Sequence, residues 1–384
     1  MSEHTVPLWR DRRVREIALQ AMALLGVIGV LLVLIHNLRF NLGRLGLKFG
    51  FDFLERPASF AIGDTAISFS PTDSYRRALW VGLLNTLRVM VLGIVLATIL
   101  GILAGISRIS SNWLVGQVAA VYVQVFRNTP LLLQLFFWYF AVFLKLPRLE
   151  NRLVLPGGIY LSKRGLDLPW PALNWRTAIA LLVILASIGG VIALWRWQLR
   201  SSDPEIVGRR SPWLLGLGLL ALGALVLGLD WEIPEFKAET SNIVGGINLS
   251  PEFATLLVGL TVYTGAFIAE VVRAGIQSVP KGQWEAANAL GLPSGLVMRL
   301  VVFPQALRVM IPPLTSEYLN LAKNSSLAIA IGYSDIYAIA STTANQTGRS
   351  LEMLLTVMAA YLTINLLISL TMNRINRSVQ IKER

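Results

Sequence analysis

Apolar residues in this chain gather into long runs separated by short polar segments. Each run is close to the twenty residues that a helix needs to cross about 30 Å of hydrocarbon at 1.5 Å per residue. The pattern predicts eight membrane-spanning helices. They cover residues 17–35, 79–106, 130–146, 178–195, 213–229, 253–276, 306–321 and 351–372. We therefore expect an all-α integral membrane protein.

Positive charges flank the runs and predict an orientation, because loops on the cytoplasmic side are enriched in Lys and Arg. An arginine-rich head precedes the first run, and no small-residue cleavage site follows it, which favours a retained anchor over a signal peptide. The segments expected inside contain Arg10, Arg12, Arg13, Arg15, Arg196, Arg200, Arg209, Arg210, Arg374, Arg377, Lys382 and Arg384. The acidic stretch expected outside contains Asp230, Glu232, Glu235 and Glu239. Both termini are therefore predicted to be cytoplasmic, although the outer segment 36–78 has six Lys or Arg against four acids.

Composition narrows the chemistry further. The chain has 384 residues, 54% apolar and 15% charged, with a net charge of +12, no cysteine and two histidines. Disulfides, thiolate metal sites and a histidine zinc site are excluded, and basic residues that flank apolar runs do not indicate nucleic acid binding. We predict no catalytic residue and no metal site. The outer segments 36–78 and 147–175 are expected to hold short strands or surface helices without forming a domain.

One predicted cytoplasmic stretch, residues 281–304, reads KGQWEAANALGLPSGLVMRLVVFP. Residues 283–290 are strong helix formers, and Gly291 permits the positive φ that ends a helix. Pro293 and Ser294 are start signals for a second short helix, and Pro304 is expected to open a third. The stretch is therefore predicted to be a helix, a turn and a helix at the membrane surface.

Two interpretations of this stretch remain open. It could be a well-formed turn without a partner. Alternatively, the small residues Ala286, Ala287 and Ala289 allow close backbone approach, with Glu285 and Trp284 beside them as acceptor and anchor. That composition suits insertion into a groove on another protein.

The stretch resembles the EAA signature of ABC importer permeases. The resemblance rests on Glu285, Ala286, Ala287 and Gly291, followed after nine residues by Val301-x-Phe303-Pro304, where the family usually has Ile-x-Leu-Pro. Four further phrases resemble the polar amino acid branch of that family. They are FRNTPLLLQLFFWYF (126–140), GAFIAEVVRAGIQSVPKGQWEAA (265–287), FPQALRVMIPPL (303–314) and KNSSLAIAIG (323–332).

The resemblance implies an architecture. Residues 79–373 would form the permease domain, with the five-helix core of a type I importer. Residues 147–250 would be an insertion with two extra helices, residues 281–304 the coupling loop, residues 1–78 an N-terminal anchor with a periplasmic segment, and residues 374–384 a cytoplasmic tail. An extended permease of this size resembles the general L-amino acid type, whose two permease subunits differ.

The resemblance also implies partners and a location in the bacterial inner membrane. The chain lacks a G-x-x-x-x-G-K-[ST] loop, so we expect no cofactor on it, and ATP and magnesium would belong to a separate ATPase dimer. A second permease subunit, expected to be a different chain, and a periplasmic amino-acid-binding protein would complete the importer. The coupling residues implied are Trp284, Glu285, Ala286, Ala287, Gly291 and Pro293.

Ionisable residues within apolar runs are candidates for a translocation pathway. Glu270 and Arg273 are three residues apart, so they share one helix face and can pair. Glu270 is a candidate for translocation or gating, whereas Arg273 could simply reach the inner interface. Arg88 is expected to extend its charge outward to the interface.

A polar interruption at residues 127–130 has two interpretations. Thr129 could cap a helix that begins at Pro130, leaving residues 113–126 as an elbow helix along the inner surface. Alternatively, Thr129 and Gln134 could face the pathway, where helix N-termini can meet a substrate carboxylate.

The seventh run contains Pro312 and Pro313, which we expect to break or kink its helix. A polar cluster follows, whose candidate pathway residues are Glu317, Asn320, Lys323 and Ser325. These side chains could face a pathway or a pairing helix, or Glu317 and Lys323 could reach the outer interface.

Two other functions were weighed. An ion-coupled secondary transporter would need paired intramembrane carboxylates and usually inverted repeats, and neither is visible. A membrane-embedded enzyme would need a metal spacing, a G-x-S-x-G elbow or a histidine base, and none of these is present. The sequence therefore favours a permease subunit of an ATP-driven importer of polar, broadly selected L-amino acids.

Overall fold

A computed structural model describes residues 12–44, 49–172, 174–200, 204–237, 239–240 and 242–380. Its α-helices are α1 (Arg12–Arg44), α2 (Tyr75–Ser107), α3 (Trp113–Asn128), α4 (Leu131–Phe136), α5 (Trp175–Arg200), α6 (Pro204–Gly223), α7 (Pro251–Gln277), α8 (Lys281–Ala289), α9 (Ser294–Leu296), α10 (Phe303–Asn324), α11 (Ile336–Thr347) and α12 (Ser350–Val379). Arg10, Lys382 and Arg384, which contributed to the predicted orientation, lie outside the described residues.

Within the described residues, five helical stretches are long and apolar enough to cross a membrane. They are Arg15–Asn37, Tyr75–Ser107, Pro251–Gln277, Ser294–Ile331 and Ser350–Val379. Three shorter apolar stretches are Leu131–Lys145, Trp175–Val191 and Leu215–Gly228. The all-α membrane architecture is thereby confirmed, whereas a count of eight full spans stays a prediction because three of the stretches are short.

The strands found among the described residues all lie in the predicted insertion. They are β1 (Leu153–Leu155), β2 (Ile159–Ser162), β3 (Gly165–Leu168), β4 (Trp170–Pro171), β5 (Trp231–Glu232), β6 (Glu235–Lys237), β7 (Asn242–Val244) and β8 (Ile247–Leu249). An antiparallel sheet has the order β1-β2-β3-β8, and β4-β5 and β6-β7 form two further pairs. Short strands were expected before α5, but their sheet is completed by β8, which follows α6 in the chain.

The core lies where α2, α7 and α10 pack together. Buried side chains from all three helices form one apolar cluster, including Met90 of α2, Val272 of α7 and Met310 of α10. A Cβ added at Gly101 or Gly105 of α2 would overlap atoms of α7. Close helix approach through small residues is the usual way to pack helices in lipid, where the hydrophobic effect does not drive helices together.

Pro312 and Pro313 both lie inside α10, which continues through them. The helix therefore does not break at these prolines, and the alternative of a kink stays a prediction. Pro304 lies in the first turn of α10, as predicted, and α10 follows directly from a π-helical stretch at Val297–Val302. A wider π turn tolerates a missing N–H donor, so the proline is accommodated within one continuous helix.

Residues 49–74 pack onto the ends of α2 and α7. Asp64 accepts hydrogen bonds from Arg88 Nη1 at 3.3 Å and from Ser250 Oγ at 2.8 Å. The Asn85 amide donates to the carbonyl oxygens of Asp64 and Ser334. The Arg88 guanidinium pairs with Asp64 of the predicted outer segment and stacks 4.1 Å from the Phe253 ring centroid, and its position relative to the membrane interface stays a prediction.

Candidate functional site

Helix α8 forms the first part of the predicted coupling loop. Pro280 precedes it as the N-cap, and Gly291 follows with φ of +73°. The Gly291 N–H donates to the Asn288 carbonyl at 2.9 Å, and the Leu290 N–H donates to the Ala286 carbonyl at 3.2 Å. A left-handed residue after the last turn is the expected way to end a helix, so the helix-turn-helix prediction is confirmed from Lys281 to Leu296.

The two faces of α8 have different roles. Ala287 is only 3% exposed, and Trp284 is half-buried; Ala287 belongs to the core cluster and Trp284 packs against it. The Trp284 side chain thus helps to hold α8 to this chain, and its role as an anchor for a partner stays a prediction. Glu285 and Ala286 are exposed on the opposite face. Of the EAA residues, these two are available to another protein.

Leu290 is the most prominent apolar side chain of this loop, with 79% of its surface exposed. It directly precedes Gly291, while Leu292 on the other side of the turn packs against the core. An isolated exposed leucine is ordinary, but one at the tip of a tightly bonded turn is a ready anchor for a partner's groove. Together, Glu285, Ala286 and Leu290 form what we call the coupling surface.

The coupling surface is firmly connected to the bundle. Three residues link α7 to α8, and the middle one, Val279, is 6% exposed and belongs to the core cluster. On the other side, Gln305 Nε2 of α10 donates to Gln283 Oε1 at 3.3 Å and to the Val301 carbonyl at 2.9 Å. A displacement of α8 therefore acts on both α7 and α10.

A second site is centred on Glu270, in the last third of α7. Arg273 Nε donates to Glu270 Oε1 at 3.1 Å, and Arg108 Nη1 pairs with Glu270 Oε2. Arg127 Nη1 lies 3.8 Å from the same oxygen. The carboxylate thus joins the ends of α2 and α3 to α7. We call these four residues the arginine cluster.

The arginine cluster has more positive than negative charge, since three guanidiniums surround one carboxylate. Its side chains are partly exposed, between 18% and 39%. Arg273 also donates to Gln277 Oε1 at 2.6 Å, and Arg127 stacks 5.0 Å from the Phe267 ring centroid. The predicted pairing of Glu270 with Arg273 is confirmed. Arg108 and Arg127 were missed as partners, although each lies at the end of an apolar run.

Thr129 and Gln134 lie together at the junction of α3 and α4. Thr129 Oγ1 donates to the Val125 carbonyl at 2.8 Å, and α4 begins at Leu131 without a side-chain cap. The expectation that Thr129 caps the second helix is therefore wrong. Gln134 is 5% exposed, and its Nε2 donates to the carbonyls of Phe126 and Thr129 at 2.9 Å each. Its amide satisfies carbonyls at the end of α3, while its Oε1 has no hydrogen-bond partner within the described part of the chain.

The four polar candidates beyond the prolines do not share one environment. Glu317 is half-buried, interacts electrostatically with Arg127 of the arginine cluster and forms a side-chain hydrogen bond with Asn320. Asn320 and Lys323 are exposed. Ser325 is 1% exposed, and its hydroxyl donates to the Ala322 carbonyl at 2.8 Å. The Ser325 hydroxyl therefore satisfies a backbone carbonyl in the last turn of α10.

The part of the chain that the structure describes contains no group of three or more histidine, aspartate or glutamate side chains arranged to hold a metal ion. The two sites can take part in protein contacts and in ion pairing between helices. The coupling surface can receive a partner, and the arginine cluster can join or release helix ends.

Comparison with known proteins identifies the family. Residues 97–381 match the model described as "Binding-protein-dependent transport system inner membrane component". The chain is 44% identical over 380 residues to the general L-amino acid transport system permease protein AapQ of Rhizobium johnstonii, covering 97% of this chain and 94% of that protein. It is 41% identical over 409 residues to the glutamate/glutamine/aspartate/asparagine transport system permease protein BztB of Rhodobacter capsulatus, covering 97% and 96%. The chain therefore belongs to the family of inner membrane permease components of binding-protein-dependent ABC transport systems, whose ATPase is a separate subunit.

Proposed function

We propose that this chain is a permease subunit of an ATP-driven importer that carries L-amino acids across a bacterial inner membrane into the cytoplasm. The single observation that supports the coupling step is the coupling surface on α8. It exposes Glu285, Ala286 and a 79% exposed Leu290 while Trp284 and Ala287 fix the same helix to the core. Its relatives' names supply the substrate class, and a broad range of polar amino acids fits both of them.

Coupling would begin at the ATPase dimer, which carries ATP and magnesium. In the proposed mechanism α8 lies in a groove on the ATPase, and closure of that dimer displaces α8. Because Val279 and Gln305 connect α8 to α7 and α10, the displacement reaches the two helices that form the core with α2. Such a rigid link to a two-state bundle is how a local contact can drive a domain movement.

The arginine cluster would control the inner end of the pathway. In the present arrangement Glu270 holds α2 and α7 together through Arg108, with Arg127 of α3 nearby. Movement of α7 would separate the carboxylate from one guanidinium and bring it to another. Glu317, beside Arg127, would be a second carboxylate in this exchange. The pathway role remains a prediction for Thr129, Gln134, Asn320, Lys323 and Ser325. In this structure the side chains of Gln134 and Ser325 donate hydrogen bonds to backbone carbonyls at helix ends.

The assembly would contain a second, different permease subunit, two ATPase subunits and a periplasmic amino-acid-binding protein. Residues 79–373 would be the permease domain, with residues 147–250 as an outer insertion. Residues 1–78 would be an anchor with a periplasmic segment, and residues 374–384 a cytoplasmic tail, with both termini cytoplasmic. Basic residues at the predicted inner loops and acids at 230–239 support this orientation.

The test is uptake in proteoliposomes that contain the full assembly and the binding protein. We expect labelled L-glutamine to accumulate only with ATP hydrolysis and without a proton or sodium gradient. Glu285→Lys should abolish uptake while the variant still inserts and co-purifies with the second permease. The control is Lys163→Glu, a charge reversal at an exposed residue of the insertion. Uptake driven by an ion gradient without ATP would contradict the proposal.

A further inference from the structure

A cavity of about 160 Å³ lies between two sheets of the insertion. The four-stranded sheet contributes Arg164, Asp167 and Asn248, the β6-β7 pair contributes Asn242 and Ile243, and Leu149 completes the lining. The volume is several times the roughly 30 Å³ that one water molecule occupies in the liquid. The cavity therefore has room for a small organic molecule.

Asp167 is the feature of this cavity that most needs an explanation. Its side chain belongs to a residue that is 4% exposed, and Oδ1 accepts a hydrogen bond from Asn248 Nδ2 at 2.7 Å. Oδ2 is buried without a hydrogen-bond partner among the residues that the structure describes. A buried carboxylate oxygen without a donor is costly, so a bound donor is the natural complement. Burial raises the pKa of Asp167, which a cationic donor would counteract.

The opposite charge lies at the same cavity. Arg164 attracts Asp167 electrostatically, but its Nη1 donates to Asn242 Oδ1 at 3.1 Å, on the facing β7 strand. The guanidinium has further N–H donors in a planar fork that suits a carboxylate. One wall thus presents a carboxylate with one oxygen, Oδ2, that has no donor among the described residues, and another wall presents a guanidinium with further donors.

We propose that this cavity is a binding site for the zwitterionic head of a free L-amino acid. The ammonium group would donate to Asp167 Oδ2, and the carboxylate would accept from Arg164. Leu149 and Ile243 form the apolar part of the lining, against which a side chain can pack. An amine alone would leave the remaining guanidinium donors unused, and an acid alone would leave Asp167 Oδ2 without a donor, whereas a zwitterion satisfies both.

This inference rests on the proposed function for its substrate class. The site would lie outside the helical bundle, on residues of the insertion that the arginine cluster and the coupling surface do not include. It would therefore retain substrate at the outer face of the transporter, separate from the translocation pathway.

The test is equilibrium binding of radiolabelled L-glutamine to the complete permease and ATPase assembly in nanodiscs, without ATP and without the binding protein. Hydrogen bonds to charged groups contribute about 1.5–3 kcal/mol, so Asp167→Asn and Arg164→Gln should each weaken binding roughly tenfold or more. Arg164→Lys, which keeps the charge, should retain part of the affinity. Lys163→Gln, an exposed neighbour that does not line the cavity, should bind like the unchanged protein.

Two fragments of the probe test the zwitterion directly. 4-Aminobutanamide lacks the carboxylate and glutaramic acid lacks the ammonium group, so each should compete at least about tenfold more weakly than L-glutamine, by the same charged-bond energies. Equal competition by either fragment would contradict the zwitterion assignment. Arg164 is exposed, so Arg164→Gln keeps the test valid even if Asp167→Asn disturbs the sheet.

The result that would overturn the inference is either no saturable binding or binding that both substitutions leave unchanged. That outcome combined with normal ATP-driven uptake would leave the proposed function intact. Binding that depends on the cavity residues, combined with uptake that does not require ATP, would support the binding site and contradict the proposed function. The two proposals therefore fail in distinguishable ways.

Discussion

The coupling loop and the insertion both lie outside the helical core, yet they are built in opposite ways. In the loop, α8 and its turn come from consecutive residues, and Trp284, Ala287 and Val279 fix them to the core. In the insertion, β3 pairs with β8 across two intervening helices, and the described strands form their contacts mainly among themselves. The difference indicates that a disturbance in the loop reaches the bundle, whereas one in the insertion stays local.

The strongest test compares two glycines that both have a positive φ. Gly291 in the coupling loop has φ of +73°, Gly157 in the insertion has φ of +86°, and neither would meet a neighbour with an added Cβ. Valine at either position costs about 1–2 kcal/mol through the left-handed backbone alone. We expect Gly291→Val to reduce ATP-driven uptake at least about tenfold, since 1.4 kcal/mol is tenfold and the turn also positions the coupling surface. Gly157→Val should leave uptake within about twofold, because its cost stays within the insertion. Equal losses of uptake in the two variants would contradict the inference that the loop is coupled to the bundle and the insertion is not.

Neutralising Glu270 should have the next largest effect. Glu270→Gln keeps a similar shape but leaves three guanidiniums without their carboxylate, so the helix ends that it joins should separate. Because the group is partly exposed, we expect a cost of about 1–2 kcal/mol and roughly a tenfold loss of uptake rate. The matched control is Glu252→Gln at the other end of α7, where one hydrogen bond from Tyr139 at 2.8 Å is affected. Uptake assays of both variants decide the matter, and a larger loss at Glu252 would exclude the cluster as the controlling contact.

Truncating Leu290 sharpens the docking hypothesis with a smaller change. Leu290→Ala should not alter the fold, because 79% of the residue is exposed in this chain. If a partner buries the Leu290 side chain, that burial contributes about 1.5–3 kcal/mol to binding. The affinity of the Leu290→Ala permease for the ATPase should therefore fall several-fold to tenfold. Leu296→Ala, on the next helix and 40% exposed, is the control. Titration of detergent-solubilised permease with the ATPase measures both; unchanged affinity for Leu290→Ala would contradict docking at this turn.

The smallest effect on transport is expected from the junction of β3 and β8. A Cβ at Gly165, whose φ is +112°, would overlap the Leu249 carbonyl oxygen. Gly165→Ala should therefore loosen this strand pair by about 1–2 kcal/mol. Amide hydrogen exchange at residues 247–249 should become faster while ATP-driven uptake stays within about twofold. Slow exchange, or a large loss of uptake, would show that the insertion is coupled to the bundle.

Sequence reasoning succeeded where structure follows from neighbouring residues. The apolar runs, the αL turn at Gly291 and the pairing of Glu270 with Arg273 all depend on spacings of a few residues. Arg108 and Arg127 were missed as partners because helix packing, not spacing, brings them to Glu270. The pairing of β3 with β8 was missed for the same reason.

Side-chain direction was the other limit. Trp284 is a residue type common in interface anchors, but its side chain is half-buried and packs against the core of this chain. Pro312 and Pro313 have a strong helix-breaking tendency, yet α10 continues because its packing within the core supplies the missing stability. Thr129 lies one residue too early to cap α4 and donates back into α3 instead. These outcomes depend on tertiary contacts that local propensity does not contain.

The most direct measurement of coupling uses the absence of cysteine from the sequence. Leu290→Cys and Gly157→Cys each introduce a single thiol, which a short thiol-to-amine reagent can link to a neighbouring protein in the reconstituted assembly. We expect Leu290→Cys to be linked to the ATPase subunit and Gly157→Cys not to be. Linkage of the ATPase to Gly157→Cys, with none to Leu290→Cys, would contradict the assignment of α8 as the contact with the ATPase.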